Sequence, residues 1–248
     1  MIDLAGKKIL VTGASSGIGR ALAIMLSELD VRVILCGRNE ERLNETLQNM
    51  KNQHGHIVIP FDVTDFSVYT DVFNRAVEDG TKLDGMVHCA GIAPILPIRA
   101  FTAKNITEVF NTNFTSFMLL ISNYSKKKIS NGGSIVGVSS INAHYPSKAM
   151  SIYAASKMAI EGAIKTLAVE LIEKGIRINV VVSGAVDTPM GTSDTSAEFK
   201  DEFFKRQKMG ILSPEKISES IVYLLSEMSS GSTGREVYVD GCYIGGFM

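Results

Sequence analysis

The chain has 248 residues, 25 basic against 26 acidic, with 45% hydrophobic and 21% charged side chains. That apolar content is enough to offset the entropy of ordering, and the near-neutral balance gives no electrostatic reason to expect nucleic-acid binding. No apolar run approaches the roughly 20 residues that span a bilayer, and Ile9-Leu10-Val11 breaks at Thr12-Gly13 without a cleavage site, so a cytoplasmic protein that binds no membrane is expected. Cys36, Cys89 and Cys242 are far apart, and His54-Gly-His56 lacks a third ligand. No metal site is expected.

In chain order, β-rich runs at 8–11, 32–36, 56–61, 85–88, 134–139, 177–182 and 236–239 alternate with helical patterns at 17–29, 40–51, 66–79, 103–127, 152–174 and 213–226. Leu22, Met25, Leu26 and Leu29 keep helical spacing, and Ser213-Pro214 reads as an N-cap with proline in the first turn. The alternation implies a mainly parallel, seven-stranded, doubly wound sheet with helices on both faces. Nothing divides the chain, so a single domain over 1–248 is expected. Segment 188–210 is polar, then amphipathic, and is expected to act as a substrate lid.

The first strand runs into Thr12-Gly13-Ala14-Ser15-Ser16-Gly17-Ile18-Gly19, and a helix begins at once. Glycines there allow backbone to approach a pyrophosphate, while the helix N-terminus offers free N–H groups. A tight turn without a ligand has the same sequence; placement in the first strand–helix unit favours a dinucleotide. After strand two stands Arg38, where an acidic residue would select NAD. A guanidinium suits a 2′-phosphate, although Arg38 also fits as a solvated residue before a helix. Asp62-Val63 closes strand three, where Asp62 suits the adenine amino group or a cap, the latter a role better filled by Thr64 or Asp65.

Tyr153 and Lys157 are four apart on one helix face. A phenol is a poor acid–base group at neutral pH, and a nearby ammonium is expected to lower its pKa. Tyr124 and Lys128 share the spacing but read as a solvated helix end. Ser140 ends a buried-strand pattern, where a hydroxyl either polarises a substrate carbonyl or serves as a turn residue. Asn111 and Asn113 within a long helix suggest a kink or a site, or else a polar helix face.

Together these segments resemble the short-chain dehydrogenase/reductase family over nearly the whole chain. The residues that carry the likeness are Thr12–Gly19, His88-Cys89-Ala90-Gly91, Asn113, Ser140, Tyr153-Ala-Ala-Ser-Lys157, Ser183–Met190 and Thr233–Gly241. The resemblance implies a Rossmann-like fold, a homotetramer, and hydride transfer between a nicotinamide and a carbonyl or alcohol. It implies Tyr153 as general acid or base, Lys157 on the nicotinamide ribose, Ser140 on the carbonyl, and Asn113 on a relay water. It places Gly13, Ser15, Ser16, Ile18 and Gly19 at the pyrophosphate and Arg38 at a 2′-phosphate, so NADP(H) is favoured over NAD(H). Asp62 and Val63 would meet adenine, Cys89, Ala90 and Gly91 the adenine ribose side, and Val186 and Thr188 the carboxamide.

Three departures stand out. His88-Cys89 replaces a usual Asn-Asn, which is expected to change support of the central strand. Ser183-Gly184 replaces Pro-Gly, which is expected to loosen the nicotinamide end. Ser16 stands where NADP-preferring members often carry a basic residue. The substrate suggested by resemblance is a 3-oxoacyl thioester on acyl carrier protein, with Lys126-Lys127-Lys128 and Lys174 as docking cations near the site mouth; those lysines equally complement helix C-termini. Met150, Tyr145, Ile95, Leu96 and Met190 are candidates for an apolar pocket. The alternatives are another small ketone, sugar or secondary alcohol, and a catalytically silent NADP-binding sensor.

Overall fold

The computed structural model describes residues 2–145, 147–192 and 205–243. Seven strands form one parallel sheet in the order β3-β2-β1-β4-β5-β6-β7. They are β1 (Lys8–Thr12), β2 (Arg32–Gly37), β3 (Ile57–Pro60), β4 (Leu83–His88), β5 (Ser130–Ser140), β6 (Ile176–Ser183) and β7 (Glu236–Val239). The helices are α1 (Gly17–Glu28), α2 (Glu40–Gln48), α3 (Tyr69–Ala76), α4 (Ala103–Phe110), α5 (Ser116–Tyr124), α6 (Ser151–Leu171), the single turn α7 (Pro189–Thr192) and α8 (Pro214–Leu225).

A parallel sheet must be covered on both faces, and the strands alternate accordingly. Leu10 and Ile34 face a core with Phe73, Phe117, Tyr124, Ile160 and Ile164. Ile9, Val11 and Val33 face the other, with Leu22, Leu26, Ile217 and Ile221. The strand order reverses between β1 and β4, which opens a crevice at their C-terminal ends.

The expected strands and helices are present, with four differences. The expected helix 103–127 divides into α4 and α5, separated by a π-helical turn at Asn111–Thr115 where the Ser116 amide returns to the Asn111 carbonyl. α3 is shorter than expected because Asp65 caps a separate 3-10 turn at Phe66–Val68. β5 begins at Ser130, ahead of the apolar run. Tyr124 is no solvated helix end: it is fully buried, and its hydroxyl donates to the Gly132 carbonyl at 2.8 Å. Of the expected lid, residues 193–204 lie outside the described residues. Among the described residues no helix is long and apolar enough to cross a membrane.

Candidate active site

The C-terminal ends of β1, β4, β5 and β6 bring the sequence-nominated residues to one edge of the sheet. Thr12 pairs with His88, and Ser140 with Ser183, at the ends of their ladders. The turn after β1 is possible only with glycine. Gly13 has a φ of +68°, and a Cβ there would lie 2.8 Å from the Ala90 nitrogen. A Cβ on Gly19 would lie 2.3 Å from the Gly13 carbonyl oxygen. Ser16 is the N-cap of α1 but makes no side-chain capping bond, so no capping hydroxyl occupies the leading amides. Ile18 packs beside the core behind the turn. Ser15 stands against Gly37 at the end of β2.

These features fit the diphosphate of a dinucleotide. Beyond Gly37, Arg38 is 72% exposed, with one guanidinium nitrogen 3.9 Å from Asp62 Oδ2. Asp62 Oδ1 accepts the Thr64 amide and hydroxyl, both at 2.8 Å, so this side chain caps its own turn. The Val63 carbonyl accepts the Tyr69 hydroxyl at 2.5 Å.

On the other side of the crevice, α6 carries Tyr153 and Lys157, both buried. The Lys157 ammonium donates to the Val138 carbonyl at 2.8 Å and lies 5.7 Å from the centre of the Tyr153 ring. Gly91 makes room: a Cβ there would be 3.6 Å from Lys157 Nζ and 3.3 Å from Asn113 Oδ1. The π-helical turn aims Asn113 inward. Its amide accepts the Ile92 N–H at 2.8 Å and donates to the Ile92 carbonyl at 3.0 Å and to Ser156 Oγ at 2.9 Å. Ser140 Oγ accepts the Asn142 amide at 3.2 Å.

The electrostatics correct one expectation. Burial pushes the Tyr153 phenol above its ordinary value, the Ser140 hydroxyl opposes this, and Lys157 does not dominate. Burial pushes Lys157 itself down to about 8, while Cys89 and Glu161 pull it up. Both groups are therefore biased toward neutral forms. The Cys89 thiol is pushed up to about 12 by burial, which leaves it unreactive; its backbone closes the glycine turn.

Two departures have a structural answer. His88 Nδ1 lies 2.9 Å from Thr12 Oγ1 and Nε2 lies 3.3 Å from Ser116 Oγ, so the imidazole itself joins the end of β1 to the first residue of α5, just after the π-helical turn. Burial and Lys157 push His88 down to about 3, so it bridges as a neutral ring. The loop after β6 is held rather than loosened. Ser183 donates to the Ser139 carbonyl at 3.1 Å, and Gln207 accepts the Ala185 amide at 2.7 Å and donates to the Ala185 carbonyl at 3.1 Å. Thr188 closes that loop onto the glycine turn: its methyl lies 3.0 Å from where a Gly17 Cβ would be. Val186 is buried and pairs with Leu212. Gln207 carries no motif, so nothing local could have revealed it.

The docking lysines do not gather here. Lys126-Lys127-Lys128 precede β5 and Lys174 precedes β6, which places both groups at the N-terminal edge, away from Tyr153. Lys128 bonds Asn74, and the Lys127 carbonyl receives Lys82. Of the apolar candidates, Met150 is buried, Ile95 and Met190 are exposed, the Tyr145 ring meets that of Tyr243 at 5.1 Å in a tilted pair, and the Leu96 amide donates to the Ala149 carbonyl.

A family profile described as enoyl-(acyl carrier protein) reductase matches residues 13–243. The chain belongs to the short-chain dehydrogenase/reductase family. It is 31% identical over 243 residues to a 3-oxoacyl-(acyl-carrier-protein) reductase of Chlamydia pneumoniae, covering 97% of this chain and 98% of that one. It is 33% identical over 249 residues to a glucose 1-dehydrogenase of Gluconobacter oxydans, covering 96% and 91%. A solved dehydrogenase/reductase from Sinorhizobium meliloti superposes with a TM-score of 0.90 at 30% identity, covering 97% and 96%. This protein is accordingly a nicotinamide-dependent dehydrogenase or reductase acting on CH–OH groups.

Proposed function

We propose that the protein is an NADP(H)-dependent reductase of a 3-oxoacyl thioester carried on acyl carrier protein. The observation that carries the chemistry is the approach of Lys157 to Gly91 and the Tyr153 ring, with Ser140 bonding the phenol, at the sheet edge that also carries the glycine turn. When bound, the nicotinamide supplies the hydride. The chain supplies orientation and the proton.

In this reading the Ser140 hydroxyl donates to the substrate carbonyl oxygen. Tyr153 gives its proton to the same oxygen, and the raised phenol keeps that proton available at neutral pH. The tyrosinate left behind is stabilised by Lys157, which also holds the ribose. Asn113, fixed by both polar groups of Ile92, orients the water that returns a proton through Lys157. Gly13, Ser15, Ser16, Ile18 and Gly19 cradle the diphosphate. Arg38, exposed and only loosely paired, takes the 2′-phosphate.

Exposed Ile95, Ile98 and Met190 favour an acyl chain over a sugar, and Arg99 in the 3-10 turn Ile98–Ala100, Lys104 in the first turn of α4 and Lys148 before α6 offer cations to an acidic carrier. The relative named glucose 1-dehydrogenase supports a second reading, oxidation of a sugar or another secondary alcohol. Presence of Asn113, Ser140, Tyr153 and Lys157 speaks against a silent sensor.

The test is oxidation of NADPH and NADH with an acetoacetyl thioester, and of glucose with NADP⁺, by wild type and Tyr153→Phe. Thioester turnover preferring NADPH is expected, reduced on the order of 10²–10⁴-fold by Tyr153→Phe with NADPH binding intact. Faster glucose oxidation would replace the acyl assignment with the sugar one.

A further inference from the structure

Glu161 lies on the face of α6 that carries Tyr153 and Lys157, one helical turn beyond the lysine, and its side chain is 1% exposed. No sequence motif nominated it. One carboxylate oxygen accepts the Ser139 hydroxyl; the other lies 2.8 Å from His144 Nε2. Ser139 immediately precedes Ser140. His144 follows the 3-10 turn Ile141–Ala143, which starts from Ser140, and its amide returns to the Ile141 carbonyl at 2.9 Å. A single carboxylate therefore ties together side chains on both sides of Ser140.

The charged surroundings are complete on three elements. From β7, the Tyr238 hydroxyl lies 3.0 Å from His144 Nε2 and donates to Glu236 Oε2 at 3.3 Å. Glu236 pairs with Lys165 of α6 at 2.9 Å. Lys157 stands one turn away on α6. Burial raises the Glu161 carboxyl, Ser139 and His144 oppose that, and Glu236 adds to it.

We propose that Glu161 is a positioning residue for the reaction: as a carboxylate it grips Ser139 and His144 and so fixes the direction of the Ser140 hydroxyl. An ionised acceptor holds such a hydroxyl about twice as strongly as a neutral one. The inference rests on carbonyl reduction at Tyr153, and the two fail separately in the test below.

The experiment is the pH dependence of kcat for NADPH-driven reduction of acetoacetyl-coenzyme A by wild type, Glu161→Gln, His144→Gln and Tyr153→Phe. Falling pH protonates Glu161 and releases Ser139 and His144, so wild-type kcat drops on the acid side. Tyr153 as proton donor has the opposite sign, with loss on the alkaline side. Glu161→Gln is expected to abolish the acid limb and lower kcat on the order of tenfold, with the KM for NADPH unchanged within twofold. His144→Gln, at a site 24% exposed and therefore tolerant, should lower kcat similarly. An acid limb that survives in Glu161→Gln, or kcat within twofold of wild type in both variants, overturns the proposal. Undiminished turnover in Tyr153→Phe overturns the assigned reaction instead. Amide hydrogen exchange across 140–150 in His144→Gln judges the positioning without any turnover: faster exchange is expected, and unchanged exchange overturns it.

Discussion

Among the described residues two lysines are buried, one at each edge of the sheet. Lys8 opens β1 at the N-terminal edge, where its ammonium meets Asp79 at 2.8 Å and the Thr81 carbonyl at 3.1 Å. Lys157 sits at the C-terminal edge with one carbonyl and an aromatic ring, and no carboxylate within ion-pair distance. At the first site the bond from Lys8 holds the Asp79 carboxyl below the usual carboxylate range. At the second, burial has no close counter-charge, and the amine falls to about 8. The same side chain is thus a closed ion pair in one place and a poised charge in the other. The difference lies in what stands within hydrogen-bond reach.

Removing each charge should break the symmetry sharply. Lys157→Met is expected to lower turnover on the order of 10²–10⁴-fold while the fold survives, measured by steady-state kinetics beside a thermal melt. Lys8→Met should leave turnover per folded molecule unchanged and cost about 1–2 kcal/mol in a denaturant melt, a modest figure because Asp79 keeps Arg32 and reaches solvent. The sign with pH follows from the depressed Asp79 carboxyl. Its contribution is present above the ordinary carboxylate pKa of about 4 and is lost as pH falls through the folded value, so wild type and Lys8→Met should converge in acid. Turnover lost in Lys8→Met, or kept in Lys157→Met, would erase the contrast. The smallest effect concerns a third cation, exposed and outside either core. Arg38→Asp should leave stability unchanged and weaken NADPH relative to NADH on the order of 10–100-fold; equal losses for both cofactors would remove Arg38 from the phosphate site.

Much of the fold was legible because strand and helix periods differ and the chain alternates them cleanly. The glycine turn, Ser140, Tyr153 and Lys157 were legible because each is tied to a local spacing at a strand end or on one helix face. What escaped depends on partners distant in the chain. Gln207 reaches back to Ala185, and His88 joins Thr12 to Ser116. Glu161 draws together β5, the following turn and β7. Tyr124 departs from the expected solvated helix end because its ring points into the core, while the lysines that follow it lie at the surface. The lysine run and Lys174 precede their strands, so the parallel sheet that the alternation implies already puts them at the N-terminal edge; their expected place at the site mouth came from the resemblance and not from the strand order.

The π-helical turn carries a consequence for how this molecule tolerates insertions and deletions. A five-residue return holds one more residue than an α-helical turn, so everything after it is rotated by about 100° relative to an unbroken helix. Asn113 faces Ile92 because of that added residue and not because asparagine prefers the place. Deleting one neighbour such as Thr112 would leave every named side chain of the site in the chain. It would also restore a regular helix and swing the amide out of register with the loop it holds. Here the length of the chain, as much as its chemistry, is part of the site.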